Sequence, residues 1–180
     1  VSLVEDITLS IIPYVESKNI NIVFDTYIEE LKIRCDPESM ERVILNLLSN
    51  AIKFTDNNGN ISVFIEADEK YVFIRVKDDG IGISEDIREE IFNRFVQEDK
   101  SFNRKKEGSG IGLALVKSLV ELHDGEVYLE KVSKGSEFVV KLPNIKIDEE
   151  LDVYNKVMDA ESKPLVQKIH IEFSDIYELY

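Results

Sequence analysis

Residues 36–55 read DPESMERVILNLLSNAIKFT, and this stretch predicts a long amphipathic helix. Asp36 is a favourable N-cap residue, and Pro37 is well tolerated at the first helical position. The predicted apolar side consists of Met40, Val43, Ile44, Leu47, Leu48 and Ala51. The opposite stripe consists of the polar residues Arg42, Asn46, Ser49, Asn50 and Lys53. Such a helix is expected to pack on a sheet with its apolar side, which leaves a row of amides and a lysine on the other.

Alternating segments on both sides of this helix predict strands, separated by shorter helices. The predicted strands are 21–25, 31–35, 61–67, 71–77, 126–132 and 137–142. The other predicted helices are 2–18, with a kink near Pro13, then 84–92 and 111–123. Grouped in this way, the elements predict an α+β fold: a two-layer sandwich with helices on one face of a mixed, mostly antiparallel sheet.

The composition argues against several classes of partner. A formal net charge of -14 disfavours nucleic acid and anionic lipid, which select clustered Lys and Arg. No apolar run approaches the roughly 20 residues that a membrane span requires. Cys35 is the one cysteine, so an internal disulfide is excluded, and a reducing, cytoplasmic compartment is expected.

Two glycine motifs follow the long helix in the chain. Asp79-Gly80-Ile-Gly82 comes directly after a predicted strand, and Gly108-Ser-Gly110-Ile-Gly112-Leu113 precedes a predicted helix. Closely spaced glycines expose backbone N–H groups, and a helix N-terminus favours negative charge, so phosphate is the expected ligand of the second motif. The spacing differs from that of a dinucleotide-binding fingerprint, and no Walker A motif is present. Taken singly, Asp-Gly is also a common turn, and two Asn residues on a helix are also compatible with simple solvation.

The order of four motifs is more specific than any one of them. Asn46-Leu-Leu-Ser-Asn50, Asp79-Gly80-Ile-Gly82, Phe92-Asn-Arg-Phe95 and the second glycine motif resemble the catalytic ATP-binding domain of bacterial sensor histidine kinases. Gyrase, the large heat-shock chaperone and mismatch-repair ATPases belong to the same superfamily, known as GHKL or Bergerat-fold. The resemblance implies ATP and Mg²⁺ as cofactors.

The resemblance also implies roles for individual residues. Asn50 is expected to contact the metal and Lys53 to reach the phosphates, and Asn46 is counted with Lys53 as catalytic. Asp79 is expected to read the adenine amino group, whereas Asp78 has no assigned role. A lid is expected at residues 96–109, bordered by Phe95. The residues expected to contact the nucleotide are Asn46, Asn50, Lys53, Asp79, Gly80, Gly82, Ile83, Phe95, Arg104, Lys105, Gly108, Ser109, Gly110, Ile111, Gly112 and Leu113.

The reaction implied by the resemblance is transfer of the γ-phosphate of ATP to a histidine. Hydrolases of the superfamily carry a Glu base where this chain has Asn46, so little ATP hydrolysis is expected. His123 and His170 lie outside any phosphoacceptor motif and are expected to be structural. The acceptor histidine is therefore expected on an upstream dimerisation domain, from which the phosphoryl group passes to a response regulator. The parent protein is expected to be a homodimer, membrane-anchored, with this domain on its cytoplasmic side.

The expected organisation has three parts: residues 1–18 as a helix that joins the upstream domain, 19–143 as the ATP-binding domain, and 144–180 as an acidic appendage. Two other functions remain open from the residues. An anti-sigma-type serine kinase shares the same motifs, and a degenerate module could bind ATP only to regulate a partner. Intact glycines and amides in the motifs favour the histidine kinase.

Overall fold

The computed structural model describes residues 1–16, 18–93 and 111–146. The helices are α1 (Ser2–Ser10), α2 (Ile12–Glu16), α3 (Pro37–Phe54) and α4 (Gly112–Glu121), with a 3₁₀ turn at Glu85–Ile87. The strands are β1 (Asn21–Thr26), β2 (Asn60–Ala67), β3 (Tyr71–Asp78), β4 (Glu126–Glu130) and β5 (Ser136–Pro143). They form one sheet in the order β1-β2-β3-β5-β4. The β1–β2 pair is parallel and the other three described pairs are antiparallel, which confirms the predicted mixed α+β sandwich.

Helix α3 forms as its sequence predicts. The Asp36 carboxylate accepts a hydrogen bond from the Ser39 backbone N–H at 3.0 Å, and Pro37 occupies the first turn. All six residues of the predicted apolar side are buried in the core between this helix and the sheet. Burying apolar side chains stabilises the fold by roughly 1.5–3 kcal/mol for each large residue, so this face holds the two layers together.

The two faces of the sheet differ in character, and β3 shows the difference most clearly. Its Val72, Ile74 and Val76 are buried against the helices. On the opposite face, Arg75 bonds Glu66 of β2 at 2.8 Å and Glu137 of β5 at 3.2 Å. The last inward position of this alternation is Asp78, so a carboxylate lies where the strand pattern calls for an apolar residue.

The N-terminal segment is helical, as predicted, but is divided at Ile11. The cause is Pro13, which has no N–H to donate and whose ring conflicts with the carbonyl four residues earlier. Buried side chains from both short helices, including Val4, Ile7 and Val15, belong to the same core as α3. Residues 1–16 are therefore packed into the domain, and their predicted role in joining an upstream domain stays a prediction.

Two element predictions are wrong. Residues 31–35 form no strand; within the described residues the segment has a single antiparallel bridge, between Ile33 and Lys146, because no described strand lies beside it to continue the ladder. Residues 84–92 form the 3₁₀ turn and further turns rather than a helix. The loop predicted at 97–107, the candidate lid and residues 147–180 with His170 lie outside the described residues. Within the described ranges, none of the helices has the length and hydropathy of a membrane span.

Candidate functional site

Asp78 is the centre of the candidate site. It ends β3 on the face that the helices cover, and only 3% of its surface is exposed. Its Oδ1 accepts hydrogen bonds from the backbone N–H of Gly80 at 2.9 Å and of Ser136 at 3.3 Å. Burial nevertheless raises the pKa of the Asp78 carboxyl above its ordinary value, against the effect of these bonds and of the Ser136 side chain. A desolvated carboxylate of this kind is a strong acceptor for an N–H donor of a ligand.

Asp79 lies in a different environment. Its Oδ1 accepts from the Asn60 backbone N–H at 2.8 Å, its Oδ2 accepts from the Asn60 amide at 3.0 Å, and Lys134 lies 3.4 Å from Oδ2. The hydrogen bonds from Asn60 lower the pKa of the Asp79 carboxyl. Both of its oxygens are thus engaged with the start of β2 and the turn after β4.

The prediction that Asp79 reads the adenine amino group stays a prediction, but the burial of Asp78 and the engaged oxygens of Asp79 favour Asp78 for that role. In the pattern Asp-x-Gly-x-Gly, Gly80 and Gly82 place the acid two positions before Gly80, which is Asp78. The alternation of β3 was the signal that could have identified it, since Asp78 continues the series of inward-facing residues. Gly135 in the β4–β5 turn and Ser136 at the start of β5, which both contact Asp78, were also missed.

Three chain segments meet around Asp78 because glycines allow their backbones to approach closely. A Cβ on Gly80 would overlap the carbonyl oxygen of Phe54 at the end of α3. Gly82 and Gly135 have φ angles of 73° and 72°, which favour glycine, and a Cβ on Gly82 would lie 3.0 Å from the Gly135 oxygen. A Cβ on Gly135 would overlap the carbonyl oxygen of Asp78. The end of α3, the turn after β3 and the β4–β5 turn therefore form one closely packed site.

The polar stripe of α3 meets the start of α4. Asn46 is 8% exposed, more buried than an open polar face would leave it, and its Nδ2 donates to the Arg42 carbonyl at 3.0 Å. A Cβ on Gly112 would lie 2.5 Å from Asn46 Oδ1, so the amide oxygen faces the first turn of α4. Asn50 is half-buried one turn further along α3, and the Lys53 ammonium lies 5.7 Å from the centre of the Phe54 ring.

The remaining predicted site residues are divided between described and undescribed parts of the chain. Ile83 and Leu113 are partly buried against the core, and Ile111 is 46% exposed before α4. Phe92 is buried and packs edge-on against Phe138, with ring centres 6.2 Å apart. The predicted residues outside the described ranges are Phe95, Arg104, Lys105, Gly108, Ser109 and Gly110.

This arrangement suits a ligand with a donor group at one end and phosphate at the other. Asp78 supplies a buried acceptor, and the first turn of α4 supplies backbone N–H groups that have no acceptor within their own helix and carry partial positive charge. Between them, Asn46 and Asn50 supply amide oxygens, which are suitable ligands for Mg²⁺. The residues present therefore fit a magnesium–purine nucleotide.

Comparison with known proteins also indicates a nucleotide-binding domain. Residues 35–146 match the family described as histidine kinase-, DNA gyrase B- and HSP90-like ATPase. Histidine kinase P4 of Formosa agariphila is 37% identical over 150 residues, which cover 79% of this chain. The chain spans 11% of the length of that relative.

Solved structures of similar fold include the catalytic domain of histidine kinase ThkA. It is 26% identical with a TM-score of 0.72, and the match covers 80% of this chain and 93% of that domain. ThkA in complex with response regulator protein TrrA matches with a TM-score of 0.68 and 26% identity over 79% of this chain and 40% of that one. Full-length ShkA in complex with AMPPNP matches with a TM-score of 0.71 and 28% identity, over 81% of this chain and 30% of ShkA.

Proposed function

Because this chain belongs to the family of histidine kinase-, DNA gyrase B- and HSP90-like ATPases, we propose that it is the ATP-binding catalytic domain of a sensor histidine kinase. In this function it binds Mg²⁺-ATP and presents the γ-phosphate to a histidine on a dimerisation domain outside these residues. The observation that carries the proposal is the buried Asp78 carboxylate at the meeting point of three glycine-containing segments.

Asp78 recognises the base in this proposal. Its carboxylate accepts a hydrogen bond from the exocyclic amino group of adenine, while Gly80 and Ser136 hold the carboxylate in place through Oδ1. Guanine presents a carbonyl oxygen at the corresponding ring position, which would face a carboxylate with no proton between them. The site is therefore selective for ATP over GTP.

The polar stripe of α3 and the start of α4 hold the triphosphate. Asn50 provides an amide oxygen for Mg²⁺, which needs few protein ligands because phosphates and water supply the others. Lys53 provides a positive charge for the phosphates, and the first turn of α4 at Gly112 provides backbone N–H groups. Arg104 and Lys105 are further candidates for phosphate contacts. Bound ATP supplies the activated phosphoryl group, and the domain supplies orientation and charge compensation.

Slow ATP hydrolysis follows from Asn46. Its amide nitrogen donates to the Arg42 carbonyl, and an amide has no basic atom with which to take a proton from water. A positioned base accelerates such reactions by about 10²- to 10⁴-fold, so its absence preserves ATP for the histidine acceptor. This property suits a kinase better than a hydrolase. P4 and ThkA are both named as histidine kinases, which favours this function over a serine kinase or a non-catalytic module.

The acceptor and the partners lie outside the described residues. His123 binds neighbouring backbone groups through both ring nitrogens, so it is not available as a phosphoacceptor. The complex of ThkA with TrrA supports a response regulator as the downstream partner of this chain also. The domain works in the cytoplasm as part of a dimeric, membrane-anchored parent protein.

Calorimetric titration of the whole 180-residue chain with ATP, with and without Mg²⁺, tests the proposal. Micromolar to submillimolar binding that Mg²⁺ strengthens is expected. Asp78→Asn removes a hydrogen bond to a charged acceptor, worth about 1.5–3 kcal/mol, so affinity should fall about 10- to 150-fold. Asp79→Asn is the matched control and should change affinity by less than about threefold, within the energy of an exposed contact.

Two results would contradict the proposal. One is the absence of ATP binding by the unmodified chain; the other is a larger loss from Asp79→Asn than from Asp78→Asn. If binding follows the expected pattern, phosphoryl transfer from ATP to a separately added histidine-containing dimerisation domain is the next measurement.

A further inference from the structure

His123 connects two helices that carry the proposed nucleotide site. It lies two residues past the end of α4, and its Nδ1 is 2.7 Å from the carbonyl oxygen of Leu119 in the last turn of that helix. Its Nε2 accepts a hydrogen bond from the backbone N–H of Asp36 at 3.0 Å. The two contacts require opposite roles: Nε2 accepts from Asp36, and Nδ1 donates to the Leu119 carbonyl.

The contact with Asp36 joins the end of α4 to the start of α3. Asp36 is the N-cap of α3, and its side chain is already engaged with the first turn of that helix through Ser39. The backbone N–H of an N-cap residue has no partner within its own helix. His123 supplies that partner from a position 87 residues away in the chain.

A second close contact joins the same helices at the site itself. Gly112, the first residue of α4, packs against the Asn46 amide oxygen. Asn46 lies ten positions after Asp36, and His123 lies eleven positions after Gly112. At a rise of 1.5 Å per residue, the two separations are about 15 Å and about 17 Å. Antiparallel helices can thus make both contacts at once only in one axial register.

We propose that His123 is a positioning residue for the nucleotide site, which sets the axial position of α4 against α3 through the Asp36 N–H. With α4 in this register, the phosphate-binding turn at Gly112 lies beside Asn46, one turn before Asn50 on α3. The inference rests on the proposed function. If His123 served only to cap the end of α4, its contact with the Leu119 carbonyl would be sufficient, and a Lys or Arg side chain could donate the same hydrogen bond. Only a side chain that also accepts a hydrogen bond explains the contact with Asp36.

Two substitutions separate the two contacts of the ring. His123→Gln places an amide oxygen near the position of Nε2 and keeps an acceptor for Asp36. His123→Asn places an amide nitrogen near the position of Nδ1 and keeps a donor for Leu119. The controls in the whole chain are Leu122→Ala, at an adjacent residue that is 77% exposed, and Val15→Ala, which weakens the core away from the site.

Two measurements are made at a temperature where every variant is folded by circular dichroism. The first is the dissociation constant for Mg²⁺-ATP by calorimetry, and the second is hydrogen exchange of the Asp36 amide by NMR. His123→Asn should weaken ATP binding by up to about tenfold, the range of one net hydrogen bond, and should accelerate exchange at Asp36. His123→Gln should stay within about twofold of the unmodified chain in both measurements, since it keeps that bond.

These measurements distinguish a positioning role of His123 from helix capping alone and from general destabilisation. The positioning role would be overturned if His123→Gln and His123→Asn lost equal ATP affinity, or if His123→Asn lost none. It would also be overturned if the loss of affinity in His123→Asn were no greater than that in Val15→Ala. If the unmodified chain binds no ATP, the proposed function fails and the role in nucleotide binding fails with it. Exchange at Asp36 would then still report whether His123 joins the two helices, so the two failures are distinguishable.

Discussion

Replacing Asp78 by Asn is predicted to maintain or raise the stability of the folded protein at neutral pH, although it weakens ATP binding. Burial raises the pKa of this carboxyl, so the folded state holds the ionised form less favourably than the unfolded chain does. The contribution of such a group to stability is fully present below its unfolded pKa and is lost as pH rises through the folded pKa. Each unit of difference corresponds to about 1.4 kcal/mol of unfolding free energy above both values. Asn does not ionise and escapes this loss.

The size of this change in stability depends on the two hydrogen bonds that Asp78 accepts from backbone N–H groups. An Asn side chain keeps an oxygen for Gly80 at 2.9 Å and Ser136 at 3.3 Å. The extra strength of hydrogen bonds to a charged acceptor is already included in the net rise of the Asp78 pKa, so its loss does not reverse the expected gain. Asp78→Ala instead leaves both N–H groups without an acceptor in a buried place. Each unsatisfied group costs about 1–3 kcal/mol, so Ala should destabilise the protein by about 2–6 kcal/mol.

Urea unfolding of the unmodified chain and of Asp78→Asn, Asp78→Ala and Asp79→Asn from about pH 2 to pH 8 measures these differences. The advantage of Asp78→Asn over the unmodified chain should grow as pH rises. Asp79→Asn should behave in the opposite way, because hydrogen bonds from Asn60 lower the pKa of Asp79. Its ionised form stabilises the fold above the unfolded pKa, and that stabilisation is lost as pH falls through the folded pKa. If Asp78→Asn is as destabilising at neutral pH as Asp78→Ala, the reasoning from burial is refuted.

Three further substitutions test the packing of the site and the start of α3. Gly112→Ala should change the free energy of unfolding by less than about 1 kcal/mol in urea, since Ala favours a helix, yet calorimetry should show weaker ATP binding because Asn46 is displaced. Gly135→Ala combines a positive φ with a backbone overlap and should lower stability by more than about 1 kcal/mol, visible as a reduced melting temperature. Asp36→Ala should cost about 0.5–2 kcal/mol through the lost N-cap. Hydrogen bonding to Ser39 lowers the pKa of Asp36, so that cost should shrink as pH falls through the folded pKa; a constant cost would contradict the assignment.

Much of the fold was accessible to sequence reasoning because local signals and tertiary packing agree. In α3, the N-cap at Asp36, the proline that follows and the apolar stripe all indicate one helix, and the structure confirms each. Strands β2 and β3 likewise alternate in burial, as predicted. Residues 31–35 also alternate, but periodicity does not reveal whether a neighbouring strand exists. In the part of the chain that the structure describes, Ile33 alone forms a bridge, with Lys146.

The site was predicted less completely for a related reason. The motifs identified α3 and both glycine turns, yet they did not decide which of two adjacent acids is buried. That choice depends on strand alternation through Val72, Ile74 and Val76, which turns Asp78 inward. The contribution of Ser136 depends on the pairing of β5 with β3, where Ser136 lies opposite Asp78 across 58 residues of chain. No local pattern contains that information.

The position of β3 at the middle of the sheet has a consequence for the order in which the domain assembles and opens. β3 pairs with β2 across a short turn, whereas α3 lies between β1 and β2 in the chain and their paired residues are 39 positions apart. Pairs that are close in sequence form at a lower entropic cost of loop closure than distant pairs. Segments with few buried contacts open locally at a lower free energy than the core does. We therefore expect slow amide exchange along β3 and faster exchange along β1. The strand that ends in the ligand-reading carboxylate would then persist while the N-terminal segment of the domain detaches and reattaches.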